Sequence, residues 1–237
     1  MDNKNILYAY IAVCVLCFFS SLLQLYSLEV IVRPLFLPVL LYYYIKSVNG
    51  NFQKRVVVSF IFYYIAELLV LLDSEQYYLI SVFLFLIPYI ILLYFVVKDL
   101  SHILKQNDYN KINFIVFFVF AFLIYLVISI FLIIETESIS ERFLLYFYGF
   151  ILMLLAFLSV ITYILRNSEA NLFLVMTIIA FIVSDMFYIF IVKVENNWVF
   201  KSVNLIAQFL SYYFFVTYSL IKVKEKKKKK TFRIYWW

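Results

Sequence analysis

Glycine and proline are nearly missing from this chain, with two and three copies among 237 residues. That scarcity excludes a Gly-rich phosphate loop, which needs backbone free to wrap an anion, and the turn-rich alternation of a β-barrel. Histidine occurs once, as His102 in a polar stretch read as a loop, and cysteine twice, as Cys14 and Cys17. A zinc centre built on His and Cys and a Ser-His-Asp triad both lack parts, so no metal and no cofactor are expected. The two cysteines form a CxxC inside the first apolar run, where small buried thiols are expected in place of a redox pair. Charge is scarce as well. Only 14% of residues are charged and 67% are hydrophobic, against roughly a quarter charged in an average soluble domain. A soluble fold of this length would have to cover its outside with polar groups, whereas lipid lets helices be apolar all round.

Apolar runs fall at 6–26, 28–46, 55–72, 76–97, 112–134, 142–165, 171–193 and 198–221, each near the ~20 residues that cross the hydrocarbon. The expected fold is all-α: a polytopic bundle of eight transmembrane helices, spanning residues 1–221. The first run is too long for a signal-peptide core and is expected to be retained. Most of the 20 Lys and Arg fall on one side if both termini are cytoplasmic, leaving Arg142, Lys193 and Lys201 outside. That arrangement obeys the positive-inside rule. Residues 222–237 then form a polybasic cytoplasmic tail on the anionic leaflet, with Trp236 and Trp237 at headgroup level. No folded nucleic-acid module accompanies the tail, so no nucleic-acid partner is expected. The expected location is multi-pass in the cell membrane. Nothing in the sequence sets an oligomeric state.

Three ionisable residues interrupt the spans: Arg33, Glu67 and Asp185. Each costs ~2.5–3.5 kcal/mol at the bilayer centre, which makes it a functional-site candidate. At 1.5 Å rise per residue all three lie ~8–12 Å below the outer surface, and Asn204 and Gln208 of the last span at ~8–15 Å. Gln24, Ser20 and Ser21 lie near the outer end of the first span. Groups that share a layer in oil imply a polar chamber. Plainer roles compete. Glu29 and Arg33 stand four apart and pair on one helix face, or Arg33 snorkels to the headgroups. Glu67 does the same from its helix end, Asp185 forms a structural pair, and Asn204 and Gln208 act as interhelical glue. Pro34 and Pro38 deprive the carbonyls of Val30 and Pro34 of helical donors, and Pro88 is expected to kink the fourth span.

The order of these residues resembles the YhhN-like lysoplasmalogenase family of eight-helix membrane proteins. Arg33-Pro34-Leu35 stands at the family's Lys-Pro-Leu, Ala66-Glu67-Leu68-Leu69 at its Gly-Asp and leucines, Ser184-Asp185 at its Ser-Asp, and Gln208 at its last-span Gln. Where the family commonly has a histidine in the fourth span, this chain has Pro88. The resemblance implies hydrolysis of the vinyl-ether bond of lysolipids, with membrane lipids and a lysophospholipid substrate as partners. That chemistry needs a carboxylic acid to protonate the alkene carbon and a second carboxylate to steady the resulting cation. Glu67 and Asp185 are the candidates for that work, with neither role assigned. Arg33 is the candidate for the lipid phosphate, and Asn204 and Gln208 for the glycerol oxygens. Two other classes stay open: a transport or lipid-binding protein that uses the same charges, and a non-catalytic relative.

Overall fold

Runs of Leu, Ile, Val, Phe and Tyr with almost no glycine have one economical way to satisfy their backbone away from water, which is to close every hydrogen bond within a helix. The computed structural model describes residues 3–72, 76–105, 114–133, 138–195 and 197–234. Among them the chain forms α1 (Asn3–Leu22), α2 (Tyr26–Val32), a 3-10 turn (Arg33–Leu35), α3 (Phe36–Ser47), α4 (Lys54–Leu72), α5 (Tyr78–Leu104), α6 (Phe114–Ile133), α7 (Ile139–Leu165), α8 (Glu169–Lys193) and α9 (Trp198–Ile234). No strand occurs among the described residues. Asp73, Glu75, Lys111, Glu135, Glu137, Trp236 and Trp237 lie outside them.

Local chemistry explains several boundaries. Ser138 Oγ accepts from the Glu141 amide at 3.1 Å at the start of α7, and Ser168 Oγ accepts from the Asn171 amide at 3.3 Å at the start of α8. Each serine supplies an acceptor to an amide that has no helical partner. Pro34 falls inside the 3-10 turn that separates α2 from α3, where it has no N–H to donate back into the preceding helical turn. Pro38 lies in the first turn of α3, where a donor is dispensable.

Three expectations need correction. The first span ends at Leu22, not 26: Gln24 adopts a left-handed φ of 54°, and the Leu25 amide folds back to the Ser20 carbonyl at 2.8 Å. Gln24 therefore belongs to the turn between α1 and α2. His102 lies in the last turn of α5, not in a loop. The last helix does not stop at 221 but carries the polybasic segment as far as Ile234, lysine and glutamate being good helix formers.

α8 and α9 pack along their lengths as a hairpin, α5 lies between α4 and α7, α1 packs on α3, and α6 packs on α7. The interior is aromatic. Tyr63, Tyr89, Tyr212, Phe36, Phe60 and Phe215 are among its largest fully buried side chains. The exterior is apolar too: Phe117, Phe118, Phe122 and Tyr125 of α6 and Ile11, Phe19 and Ile31 of the first two spans all face outward. Exposed apolar surface on this scale belongs in lipid. Seven segments of the described residues are long and apolar enough to cross a membrane. The protein is an all-helical, multi-pass integral membrane bundle.

Candidate functional site

Every charge in such a bundle must find a partner within reach, and the second span shows how. Arg33 sits on the 3-10 turn one helical turn beyond Glu29, and α4 brings Glu67 against it from the other side. The Arg33 guanidinium donates through Nη1 to Glu29 Oε1 at 3.4 Å and through Nη2 to Glu67 Oε2 at 3.3 Å. Lys201 of α9 reaches Glu29 Oε2 at 3.5 Å. Lys201, Asn204, Gln208 and Tyr212 recur at intervals of three and four, so one face of α9 presents them all. From that face the Gln208 side-chain amide makes a short hydrogen bond to Glu67 Oε1, and the Tyr212 hydroxyl donates to the same oxygen at 3.1 Å. The result is a chain of alternating charge, Lys201, Glu29, Arg33, Glu67, that runs inward from the half-exposed Lys201 and is capped by an amide and a phenol. Glu29, Arg33 and Glu67 are all buried.

The cluster is not saturated. The Arg33 Nε–H, the Gln208 Oε1 and the Ser21 hydroxyl are buried without a hydrogen-bond partner among the described residues. Buried polar atoms of this kind are uncommon in native proteins and mark a place where a polar guest fits. A pocket of about 290 Å³ opens at the Lys201 end, between the end of α1 and the start of α9, and Ser21, Gln24 and Lys201 line it.

Asp185 is held elsewhere. Its Oδ2 accepts from the hydroxyls of Tyr89 on α5 at 2.6 Å and Tyr148 on α7 at 2.8 Å. It lines a pocket of about 50 Å³ between α6, α7 and α8 whose other walls are Tyr148, Gly149 and apolar side chains such as Leu123, Leu145, Leu152, Met153 and Ile182. Among the described residues no hydrogen bond joins Asp185 to Glu67. Aromatic rings stand between them: Tyr63 lies 4.9 Å from Tyr212, 5.4 Å from Phe181 and 6.1 Å from Tyr89, centroid to centroid. Tyr212 carries the hydroxyl on Glu67, and Tyr89 the hydroxyl on Asp185.

Of the five residues singled out in the sequence, the fold brings Arg33, Glu67 and Gln208 into direct contact. It places Asp185 across the aromatic layer. Asn204 faces a neighbouring helix, its amide donating to the Ser184 carbonyl at 2.7 Å and to the Ser184 hydroxyl at 3.2 Å, which is the interhelical-glue role. The plainer reading of Arg33, a pair with Glu29 four residues earlier, is present, and Arg33 also pairs with Glu67 across to α4. Sequence reasoning missed Lys201, Tyr89, Tyr148 and Tyr212. Lys201 and Tyr212 had a signal, their positions three residues before Asn204 and four after Gln208. Pro88 is buried within α5, directly before the Tyr89 that binds Asp185. Among the described residues no group of three or more His, Cys, Asp or Glu side chains is placed to hold a metal, and Cys14 and Cys17 are buried free thiols.

Fold and site together define a class: a polytopic helical membrane protein with an ion-paired cluster buried in one half of the bundle and a carboxyl held by phenols beside it. Comparison with family models, with curated proteins and with solved structures finds no match.

Proposed function

We propose that the protein is a lysoplasmalogenase-like membrane hydrolase that cleaves the vinyl-ether bond of lysolipids by carboxyl general-acid catalysis. The observation that carries this reading is Asp185, a carboxyl in the wall of an otherwise apolar pocket among α6, α7 and α8. The walls and the volume of about 50 Å³ suit the few carbons about a lipid's alkenyl double bond, and a carboxylic acid is the group its chemistry needs.

With Oδ2 occupied by Tyr89 and Tyr148, Oδ1 of Asp185 is assigned the proton. Its transfer to the alkene carbon remote from the ether oxygen uses the π pair to form the new C–H bond, and the adjacent carbon becomes an oxocarbenium centre. Water adds there and returns a proton to the carboxylate. The hemiacetal then breaks its C–O bond to glycerol as its hydroxyl proton passes to the departing oxygen, releasing a fatty aldehyde and a glycerophospho-alcohol. Glu67 is the second carboxyl of the proposed site and positions Arg33. The unpartnered Nε–H of Arg33 and Oε1 of Gln208 are assigned to the headgroup and glycerol oxygens, and Asn204 holds α9 against α8 in support.

Supporting an eight-span arrangement is α6, whose 20 residues carry no charge. The same reading places both termini in the cytoplasm of a cell membrane. It is supported by the cations Lys54, Arg55, Lys98 and Lys222, which surround one pocket at the end of the bundle opposite Lys201.

A lipid-binding or transport role without chemistry is the second reading. It is favoured by the internal match of Lys201 and Arg33 with Glu29 and Glu67, an arrangement that holds itself together without substrate. Incubation of the purified protein with an alkenyl lysophospholipid in deuterated water separates the two. Hydrolysis releases aldehyde carrying one deuterium on the carbon next to the carbonyl. Binding of the lipid without any aldehyde supports the second reading and overturns the first.

A further inference from the structure

A third pocket, of about 300 Å³, lies at the end of the bundle opposite Lys201, where α4 begins and where α5 and α9 leave the apolar layer. It is about 20 Å along α4 from Glu67 at 1.5 Å per residue and shares no residue with the cluster around Arg33. Its volume reaches the lower bound of small-molecule sites, ~300–1,000 Å³. Four cations line it, Lys54, Arg55, Lys98 and Lys222, against one carboxylate, Asp99.

The cations are not equivalent. Lys222 is bound to Asp99 at 2.7 Å, and the buried Tyr218 hydroxyl donates to the same carboxylate oxygen at 3.4 Å. That pair neutralises itself and forms a fixed wall. Arg55 and Lys98 flank the ring of Tyr94, with the guanidinium 4.1 Å and the ammonium 6.0 Å from its centroid. The ring holds two like charges side by side at the pocket rim, an arrangement that a shared anion would stabilise.

A further observation points the same way. Ser219 lines this pocket, is 2% exposed, and its hydroxyl has no hydrogen-bond partner among the described residues. A buried hydroxyl beside a surplus of cations is one more donor for an anionic oxygen. We propose that this pocket binds a phosphate group, presented by an anionic lipid at the membrane surface. Basic pockets between transmembrane helices are suited to lipid phosphates because the headgroup reaches them from the leaflet while the acyl chains stay in oil. Arg55 and Lys98 provide the charge-assisted hydrogen bonds, Lys54 the long-range attraction, and Ser219 the deepest donor.

Calorimetric titration of the full-length protein in detergent tests this, with dihexanoyl phosphatidic acid, dihexanoyl phosphatidylcholine and inorganic phosphate as probes. Phosphatidic acid is expected to bind more tightly than either other probe. Replacing both rim cations, Arg55→Gln with Lys98→Gln, is expected to weaken it at least about tenfold, the loss of one or more charged hydrogen bonds. Ser219→Ala is expected to weaken it severalfold, and Lys4→Gln, outside the pocket, to leave it unchanged. Both rim residues are exposed, so the double variant keeps the fold. Inorganic phosphate binding as tightly as phosphatidic acid, with the same dependence on the rim, would assign the site to a soluble anion and overturn the lipid source. Phosphatidylcholine binding equally well, or phosphatidic acid binding that neither pocket variant affects, would overturn the site.

Discussion

Replacing Arg33 by methionine is the sharpest perturbation of the buried charge chain, because it removes one cation shared by two buried carboxylates. Methionine keeps much of the aliphatic volume, so the change isolates the guanidinium. Glu29 retains Lys201 at 3.5 Å, but Glu67 keeps only the neutral donors Gln208 and Tyr212. Breaking a buried pair from one side costs about 3–5 kcal/mol, since the remaining charge stays in a low-dielectric site without its counterion. Glu67→Gln leaves Arg33 with Glu29 and is expected to cost less, about 1–3 kcal/mol. When Arg33→Met and Glu67→Gln are combined, the uncompensated charge at Glu67 disappears. The double variant is then expected to lose about 2 kcal/mol less than the two single losses summed. Reversible unfolding in mixed micelles, titrated with a denaturing detergent, reads all three. Additive losses, or an Arg33→Met loss below about 0.5 kcal/mol, would refute the pairing as a source of stability.

Other consequences follow from the same geometry. Asn204→Leu removes the amide that ties α9 to the Ser184 carbonyl and is expected to cost about 1 kcal/mol in the same titration; no loss would show that the contact is energetically idle. Ser138→Ala removes the acceptor for the Glu141 amide at the start of α7 and is expected to cost about 1 kcal/mol, read as a lower midpoint of unfolding. In a background lacking Cys14 and Cys17, a cysteine replacing Trp198 is expected to react with a membrane-impermeant maleimide added to intact cells, while one replacing Lys224 reacts only after permeabilisation. The opposite pattern would invert the topology.

Much of the architecture is legible in the sequence because lipid imposes a simple rule: some twenty apolar residues, then a polar break. The rule finds the helices but not their ends. A left-handed Gln24 ends α1 early, and no residue type announces that conformation as glycine would. The lysines after Val223 end the apolar run, yet they are also good helix formers, so α9 continues past it.

The cluster of Arg33, Glu67 and Gln208 is legible for a different reason. Charges sunk in oil at one depth must meet something, and few partners exist at that depth. The tyrosines are another matter. With 22 in the chain, nothing local separates Tyr89, Tyr148 and Tyr212, which bind the two carboxyls, from those that face lipid. Only the packing of α4, α5, α7, α8 and α9 selects them. The same packing puts Tyr63 and Phe181 between Glu67 and Asp185, so a shared depth does not become a shared hydrogen bond.

Aldehyde release from an alkenyl lysophospholipid, compared between the wild-type protein and Asp185→Asn at equal bound lipid, tests the proposed chemistry most directly. Loss of a general acid is expected to lower the rate about 100-fold or more with binding preserved. An Asp185→Asn protein that releases aldehyde as fast as the wild type would contradict it.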